Sequence, residues 1–116
     1  MNFNYWNEHT ICRWNKKTFV DNTPRQQRRK CNIEAVEYYE ATTKEEKIKE
    51  LADVFIASAG AARRYGDKYA QLVCDLMRKL SIWPEINQAV QKKMFINLER
   101  TWKKTHTGEQ RHVGED

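Results

Sequence analysis

The sequence has little of the residues that interrupt helices or build cysteine-based sites. Its 116 residues include only 4 glycines and 2 prolines. The 3 cysteines, Cys12, Cys31 and Cys74, are an odd number at wide spacings, without a CxxC motif or a Cys/His cluster. This pattern argues against a zinc site and a disulfide framework, and it favours free thiols in a reducing compartment.

The sequence also lacks long apolar segments. No apolar run approaches the roughly 20 residues that a helix needs to cross a bilayer. The first residues, MNFNYWNEHT, show no basic stretch followed by an apolar one, which is the pattern of a signal peptide. We therefore expect a cytoplasmic protein without a membrane partner.

The composition that remains is typical of a small soluble domain. Hydrophobic residues make up 40% of the chain and charged residues 32%, a balance that excludes a disordered protein. The formal net charge of +5 suits a polyanionic partner. That partner can be a nucleic acid or the phosphates of a nucleotide, and charge alone does not choose between them.

Helix signals dominate the chain and predict an all-α fold. Thr23-Pro24 is a start signal, Thr43 to Glu46 has the form of a capping box, and Gly66 is a stop signal. Residues 1–104 are predicted to form a single domain, with a four-helix-bundle-like core, a short N-terminal helix and an irregular polar tail at 105–116. The predicted helices span about 4–17, 24–41, 44–65, 67–80 and 84–103.

Two of these helices carry predicted core faces. In the fourth helix the apolar residues are expected to face the core, namely Tyr69, Leu72, Val73, Leu76, Met77 and Leu80. In the fifth helix Phe95, Leu98 and Trp102 mark the expected core side.

Two pairs of acidic residues are the main candidate for chemistry. Glu34 and Glu37, and likewise Glu50 and Asp53, are three residues apart, so each pair shares one face of its helix. The short break at 42–43 makes the two helices antiparallel neighbours. At roughly 1.5 Å of rise per residue, both pairs lie within about 3 Å of the same height. Four carboxylates are thus predicted to meet across one helical hairpin.

Asp53 is unusual because it is the only charged residue in the run from 51 to 62. An ionised carboxylate in a packed interior costs several kcal/mol unless a cation compensates it. Exposed Glu-x-x-Glu pairs are usually solvated charge, but four gathered carboxylates repel one another and require compensation. Hard oxygen ligands of this kind suit Mg²⁺ or Mn²⁺.

This acidic pattern resembles that of the MazG-type branch of the all-α nucleoside triphosphate pyrophosphohydrolases. The resemblance rests on Glu34-x-x-Glu37, a twelve-residue gap and Glu50-x-x-Asp53, and it covers most of the chain. It includes the upstream segment Trp14, Thr18-Phe19 and Thr23-Pro24, the basic last helix, and the terminal Arg111-His112. The chain departs from the family at Ile33, where members often have an acid adjacent to the first pair.

The resemblance implies an enzyme that hydrolyses nucleoside triphosphates between the α and β phosphates. The products would be a monophosphate and pyrophosphate, in a house-cleaning role for the nucleotide pool. It implies that Mg²⁺, or Mn²⁺, is bound by Glu34, Glu37, Glu50 and Asp53, with Glu34 or Glu37 also orienting or deprotonating the attacking water. A homodimer or homotetramer, with sites near the subunit interface, is implied as well.

Candidate substrate contacts lie on the first and last helices. The stripe formed by Lys93, Asn97, Arg100 and Lys104 is either a triphosphate clamp or a solvated face. Lys30, one turn before Glu34, suits an ion pair with it better than a clamp. Around the base, the resemblance places Trp14, and Trp6 or His9 can share that pocket, although aromatic residues at helical spacing are more often core residues.

Two other interpretations remain. A small basic helical module can bind nucleic acid through its last helix and the cluster Arg25, Arg28, Arg29 and Lys30, but this leaves Asp53 unexplained, so nucleic acid is the less favoured partner. Alternatively, the chain is a structural helical bundle whose acids pair with lysines.

Overall fold

The computed structural model describes residues 5–100 and the backbone of 102–104 and 110–112. Within these residues the fold is all-α, as the sequence predicts. Two short antiparallel strands follow the helices, with Trp102 opposite His112. The elements are α1 Glu8–Thr18, α2 Pro24–Glu40, α3 Lys44–Tyr65, α4 Lys68–Arg78, α5 Trp83–Glu99, β1 Trp102–Lys104 and β2 Gln110–His112.

The helix ends follow the capping signals of the sequence. The Thr23 hydroxyl accepts a hydrogen bond from the Gln26 backbone N–H at 3.2 Å, and Thr43 caps α3 in the same way. Gly66 ends α3 in the left-handed region, with φ 68°. The helix α1 starts at Glu8 rather than at the predicted Asn4, because the Asn7 side chain accepts from the Thr10 N–H and acts as its cap.

The C-terminal part differs from the prediction. The last helix ends at Glu99 rather than at 103, since Arg100 has an extended backbone with ψ 146°. The irregular tail is also wrong in part, because residues 110–112 pair with 102–104 in a strand ladder. Backbone hydrogen bonds between the two strands take the place of helical ones there.

The helix α3 is the central element, as its apolar run predicts. It packs against α1, α2, α4 and α5, and Ala52, Phe55 and Ala59 are buried in the core. A Cβ atom at Gly60 would lie 2.9 Å from both Asn15 Nδ2 and Gln27 Nε2, so glycine lets these amides approach the helix. In the described part of the chain, no helix has the length and apolar character to cross a membrane.

The predicted core face of α4 is largely wrong. Met77 is buried as predicted, but the other buried residues of α4 are the small Ala70 and Cys74. The reason lies in α3, whose Ala61 and Ala62 form a flat surface that α4 approaches closely through small side chains. The larger apolar residues Tyr69, Leu72, Val73, Leu76 and Leu80 are 37–75% exposed.

The orientation of α5 also differs from the prediction. Phe95 and Leu98 are 49% and 53% exposed, whereas Met94 and Asn97 are buried. The Trp102 side chain lies outside the described residues. Because α5 is turned in this way, Lys93 and Asn97 of the predicted polar stripe face the interior of the bundle.

Candidate metal centre

A cavity of about 240 Å³ lies between α1, α2, α3 and α5. Acidic side chains from α2 and α3 form one part of its wall, and basic and amide side chains from α5 form another. Aromatic and amide side chains contribute the rest. The lining residues are Trp14, Asn15, Phe19, Gln27, Lys30, Glu34, Glu37, Glu50, Asp53, Ile56, Ala57, Lys93, Asn97 and Arg100.

The four predicted carboxylates meet in this cavity. One oxygen each from Glu34, Glu50 and Asp53 lies within 4.8 Å of the others. Glu37 lines the same cavity and shares a hydrogen bond with Glu50. The antiparallel pairing of α2 and α3 thus brings the two acidic pairs to one height, as the spacing predicts.

The environment disfavours the ionised form of these acids. Burial, reinforced by the neighbouring carboxylates, raises the pKa of Glu34 to about 8, although Lys30 opposes the shift. Burial and the charge of Asp53 raise the pKa of Glu50 to about 7. Burial also raises the pKa of Asp53, against the opposing effect of Lys93.

Two lysines compensate part of this negative charge. Lys93 Nζ lies 3.2 Å from Asp53 Oδ2, so Asp53 has the cationic partner that its apolar surroundings require. Lys30 Nζ lies 3.5 Å from Glu34 Oε1, which confirms the predicted ion pair one turn along α2. With Arg100, three cationic side chains line the cavity against four carboxyl groups, so the acidic groups still outnumber the cations.

The donor set fits a divalent cation. Glu50 Oε2 is buried and has no hydrogen-bond partner within the part of the chain that the structure describes, which is costly for a carboxylate oxygen. A hard cation supplies the partner that the oxygen lacks and the positive charge that the cluster lacks. Oxygen donors without a histidine or thiol among them suit Mg²⁺ or Mn²⁺ better than zinc.

A buried amide network forms the floor of the cavity, and the sequence analysis did not find it. Asn15 and Gln27 are 2% and 1% exposed, and Asn15 Nδ2 donates to Gln27 Oε1 at 3.2 Å. Arg64, at the end of α3, donates to Asn15 Oδ1 and to the backbone oxygens of Phe19 and Val20, so it caps the C-terminus of α1. A sequence signal exists: Asn15 lies one turn after the apolar Ile11, on the buried face of α1.

The structure brings three of the four predicted phosphate contacts to the cavity of the acidic pairs. Lys93, Asn97 and Arg100 all line the cavity, opposite the acidic pairs. The backbone of Lys104 lies in β1, but its side chain is outside the described residues.

Of the predicted base contacts, only Trp14 lines this cavity, where its ring meets Phe19 edge-on at 5.4 Å. Trp6 and His9 lie elsewhere, in a second cavity beside Glu8, Arg63 and Arg78. Trp6 also lines a third cavity together with Trp14, outside the acidic one, whereas His9 does not. Neither Trp6 nor His9 therefore lines the cavity of the acidic pairs.

Hydrogen bonds explain the position of Trp6. Its backbone N–H donates to Gln91 Oε1 at 3.0 Å, and Gln91 Nε2 donates back to the Trp6 carbonyl at 2.8 Å. This pair holds the chain before α1 against α5. Trp6 precedes α1, so the helical spacing that the prediction assumed between it and Trp14 does not apply.

Glu8 is buried beside Trp6 and already has its partners. Arg63 Nε lies 3.4 Å from its carboxylate, Gln71 Nε2 donates to it at 2.9 Å, and Arg78 forms a close ion pair with it. These contacts tie α1 to α3 and α4, and they account for the charges of the second cavity.

Comparisons with known proteins give one similar structure. No protein-family model and no curated protein matches the sequence. The chain is similar to a solved structure described as the cyanophage S-2L MazG-like pyrophosphohydrolase bound to dGDP and three catalytic Mn²⁺ ions per active site. The identity is 21%, the match covers 94% of this chain and 91% of that one, and the TM-score is 0.45. That description names the family that the acidic pattern resembles.

Proposed function

We propose that the protein is a Mg²⁺-dependent nucleoside triphosphate pyrophosphohydrolase that cleaves between the α and β phosphates. The observation that supports this most is one cavity in which converging carboxylates face a basic wall. Such a cavity suits a substrate that arrives as a metal–polyphosphate complex. The proposed role is house-cleaning of the nucleotide pool in the cytoplasm.

The acidic side chains carry the metal in this proposal. Glu34, Glu37, Glu50 and Asp53 would bind Mg²⁺, or Mn²⁺ in its place. When bound, the cation neutralises polyphosphate charge and lowers the pKa of a bound water. Glu37 is the most exposed of the four and lies outside the tight group of three, which leaves it free to orient or deprotonate the attacking water together with Glu34.

The wall formed by α5 binds the phosphates in this proposal. Lys93 supplies positive charge and Asn97 supplies an amide from the inward face of α5, and Arg100, which directly follows the helix, supplies a second positive charge. Lys93 pairs with Asp53 in the metal-free protein. A cation bound at Asp53 would release Lys93 to contact a phosphate oxygen. Lys104 remains a proposed fourth contact and Trp14 a proposed contact to the base.

The nucleic-acid interpretation has less support. Arg28, one of its four basic residues, is paired with Asp67 at 2.5 Å. Lys30, another, faces Glu34 inside the cavity. That interpretation also gives no reason for gathering four carboxylates, which repel a phosphate backbone.

A product analysis tests the proposed function. We expect the protein with Mg²⁺ to convert members of a panel of nucleoside triphosphates into the monophosphate and pyrophosphate, because the cavity holds metal and polyphosphate together. The products are resolved by ion-exchange chromatography. A chelator should stop the reaction. Release of diphosphate and phosphate, or no turnover with any triphosphate, would contradict the proposal.

We also propose that the chain forms a homodimer or homotetramer through α4, with a second copy as the partner. The exposed apolar residues of α4 follow helical spacing and form one stripe, with Leu72 and Leu76 each 54% exposed. A specific interface buries roughly 1,000 Å² or more in total, and the four exposed apolar side chains of α4 together with Leu80, which follows the helix, supply about that area from the two copies. Both copies offer the same surface, as a two-fold interface requires.

A charge inserted in this stripe tests the interface. The double variant Leu72→Glu/Leu76→Glu is expected to dissociate the oligomer to single chains, because each interface would then bury four uncompensated carboxylates. Light scattering coupled to size exclusion measures the mass. Tyr39→Glu is the matched control, since Tyr39 is 85% exposed on α2. A wild-type protein that runs as a single chain would contradict this assignment.

A further inference from the structure

The amide groups on the cavity floor have fixed orientations. Arg64 Nη1 lies 2.8 Å from Asn15 Oδ1, and because a guanidinium only donates, the oxygen of Asn15 must face it. Gln27 Nε2 lies 2.9 Å from the Ala57 carbonyl, and because a carbonyl only accepts, the nitrogen of Gln27 must face it. Neither amide can flip without losing a buried hydrogen bond.

These orientations decide what the floor can offer a ligand. Gln27 Oε1 already accepts from Asn15 Nδ2 at 3.2 Å and from Asn22 Nδ2 at 2.7 Å, so both of its lone pairs are used. Asn15 Nδ2 carries two N–H groups, and only the one directed to Gln27 has an acceptor among the described residues. A donor that approached Asn15 Oδ1 would meet the positive charge of Arg64. Asn15 therefore presents a hydrogen-bond donor and no available acceptor.

Asn15 also lies beside the proposed binding position of the base. It is the neighbour of Trp14 in α1, both line the cavity, and the metal-binding acids lie on the opposite helices. Guanine, hypoxanthine, uracil and thymine present a ring carbonyl oxygen, an acceptor, where adenine and cytosine present an amino group, a donor. An amino group placed against the Asn15 N–H would leave two donors facing each other in a buried site.

We propose that Asn15 donates its second N–H to the ring carbonyl of the base, so that the site selects keto bases over amino bases. This inference rests on the proposed function, because it assumes that the cavity binds nucleotides. Arg64 and Gln27 act as positioning residues, since they hold the Asn15 amide in the donating orientation without contacting the base.

Matched substrate pairs test the inference. ITP carries a carbonyl group at the ring position where ATP carries an amino group. The bases of dUTP and dCTP differ in the same way. We expect kcat/KM for the wild-type protein to favour the keto member of each pair by about tenfold or more. Calorimetric titration with IMP and AMP, which are not hydrolysed, should show the same preference. Asn15→Ala should reduce it to about twofold or less, whereas Asn32→Ala, an exposed change on α2, should leave it intact.

The outcomes separate this inference from the proposed function. Hydrolysis to monophosphate and pyrophosphate without a keto preference in either wild-type pair would overturn the inference and leave the function standing. A keto preference in monophosphate binding without hydrolysis of any triphosphate would support the inference and contradict the function. The wild-type substrate pairs test the keto preference even if Asn15→Ala does not fold. A keto preference that survives in a folded Asn15→Ala protein would show that a group other than Asn15 selects the base.

Discussion

Glu50→Gln is expected to lower the rate of triphosphate hydrolysis about 1,000-fold or more at saturating substrate and Mg²⁺. Glu50 contributes one of the three converging oxygens, and its Oε2 is buried without a hydrogen-bond partner among the described residues. Glutamine keeps the shape of the side chain but removes its charge, so the site loses a ligand without a change in packing. Initial rates of pyrophosphate release measure the effect.

The same variant should not destabilise the metal-free protein. Burial and Asp53 raise the pKa of Glu50 to about 7, so a neutral amide removes an unfavourable charge near neutral pH and can donate to Glu37. We expect an unchanged or higher melting temperature without metal, and a smaller rise on addition of Mg²⁺. Glu45→Gln is the matched control, because Glu45 is exposed on the same helix and forms an ion pair with Lys49 on the surface. If Glu50→Gln retains wild-type activity, the metal assignment is wrong.

The stability of the metal-free protein is expected to fall as the pH rises from about 5.5 to about 8.5. In the folded protein the pKa of Glu34 is raised to about 8 and that of Glu50 to about 7, against an ordinary value of 4.5. The folded state binds these protons more tightly than the unfolded state does. The stabilisation is therefore fully present below about pH 4.5 and is lost as the pH rises through 7 and 8. We expect the melting temperature to drop by about 5 °C or more over this range.

A divalent cation should reverse this dependence. Mg²⁺ or Mn²⁺ binds the ionised carboxylates, so the stabilisation that it provides grows as the pH rises, and metal binding releases protons. Differential scanning fluorimetry with and without metal measures both effects. A calorimetric titration in two buffers of different ionisation enthalpy counts the protons released.

Two thiols and Asp67 titrate outside this pH window. Burial raises the pKa of Cys31 to about 11 and that of Cys74 to about 12. The pKa of Asp67 is lowered, because the Ala70 N–H and Arg28 outweigh its burial, so its contribution is lost only as the pH falls below the ordinary range for aspartate. The control variant Glu34→Gln should flatten the metal-free profile. A profile equally steep in that variant would show that another group is responsible.

The acidic cluster was predictable from the sequence because its geometry is local. Residues three apart share a face of any helix, and the short break at 42–43 leaves little choice in how α2 and α3 pair. The need of Asp53 for a cation was also predictable, since burial of a charge has a cost wherever the helix packs. The sequence did not identify that cation as Lys93, because its position beside Asp53 depends on the orientation of α5 about its axis.

The floor of the cavity was not predictable in the same way. Asn15, Gln27 and Arg64 come from three helices, and each is an ordinary polar residue in its own segment. Their meeting depends on Gly60, which allows α1 and α2 to approach α3 closely enough for two amides to fit. The position of Trp6 outside the acidic cavity was unpredictable for a related reason, because its pairing with Gln91 is a contact between residues far apart in the chain.

The sequence by itself determined the all-α class, most helix ends and the four carboxylates at one height, because caps and helical spacing act within a few residues. The tertiary structure alone decided which face of each helix is buried. It placed small residues of α4 against the alanines of α3, left the leucines exposed, and turned Lys93, Asn97 and Arg100 inward. Packing density rather than hydrophobicity made that choice, since only small side chains fit where two helices approach closely.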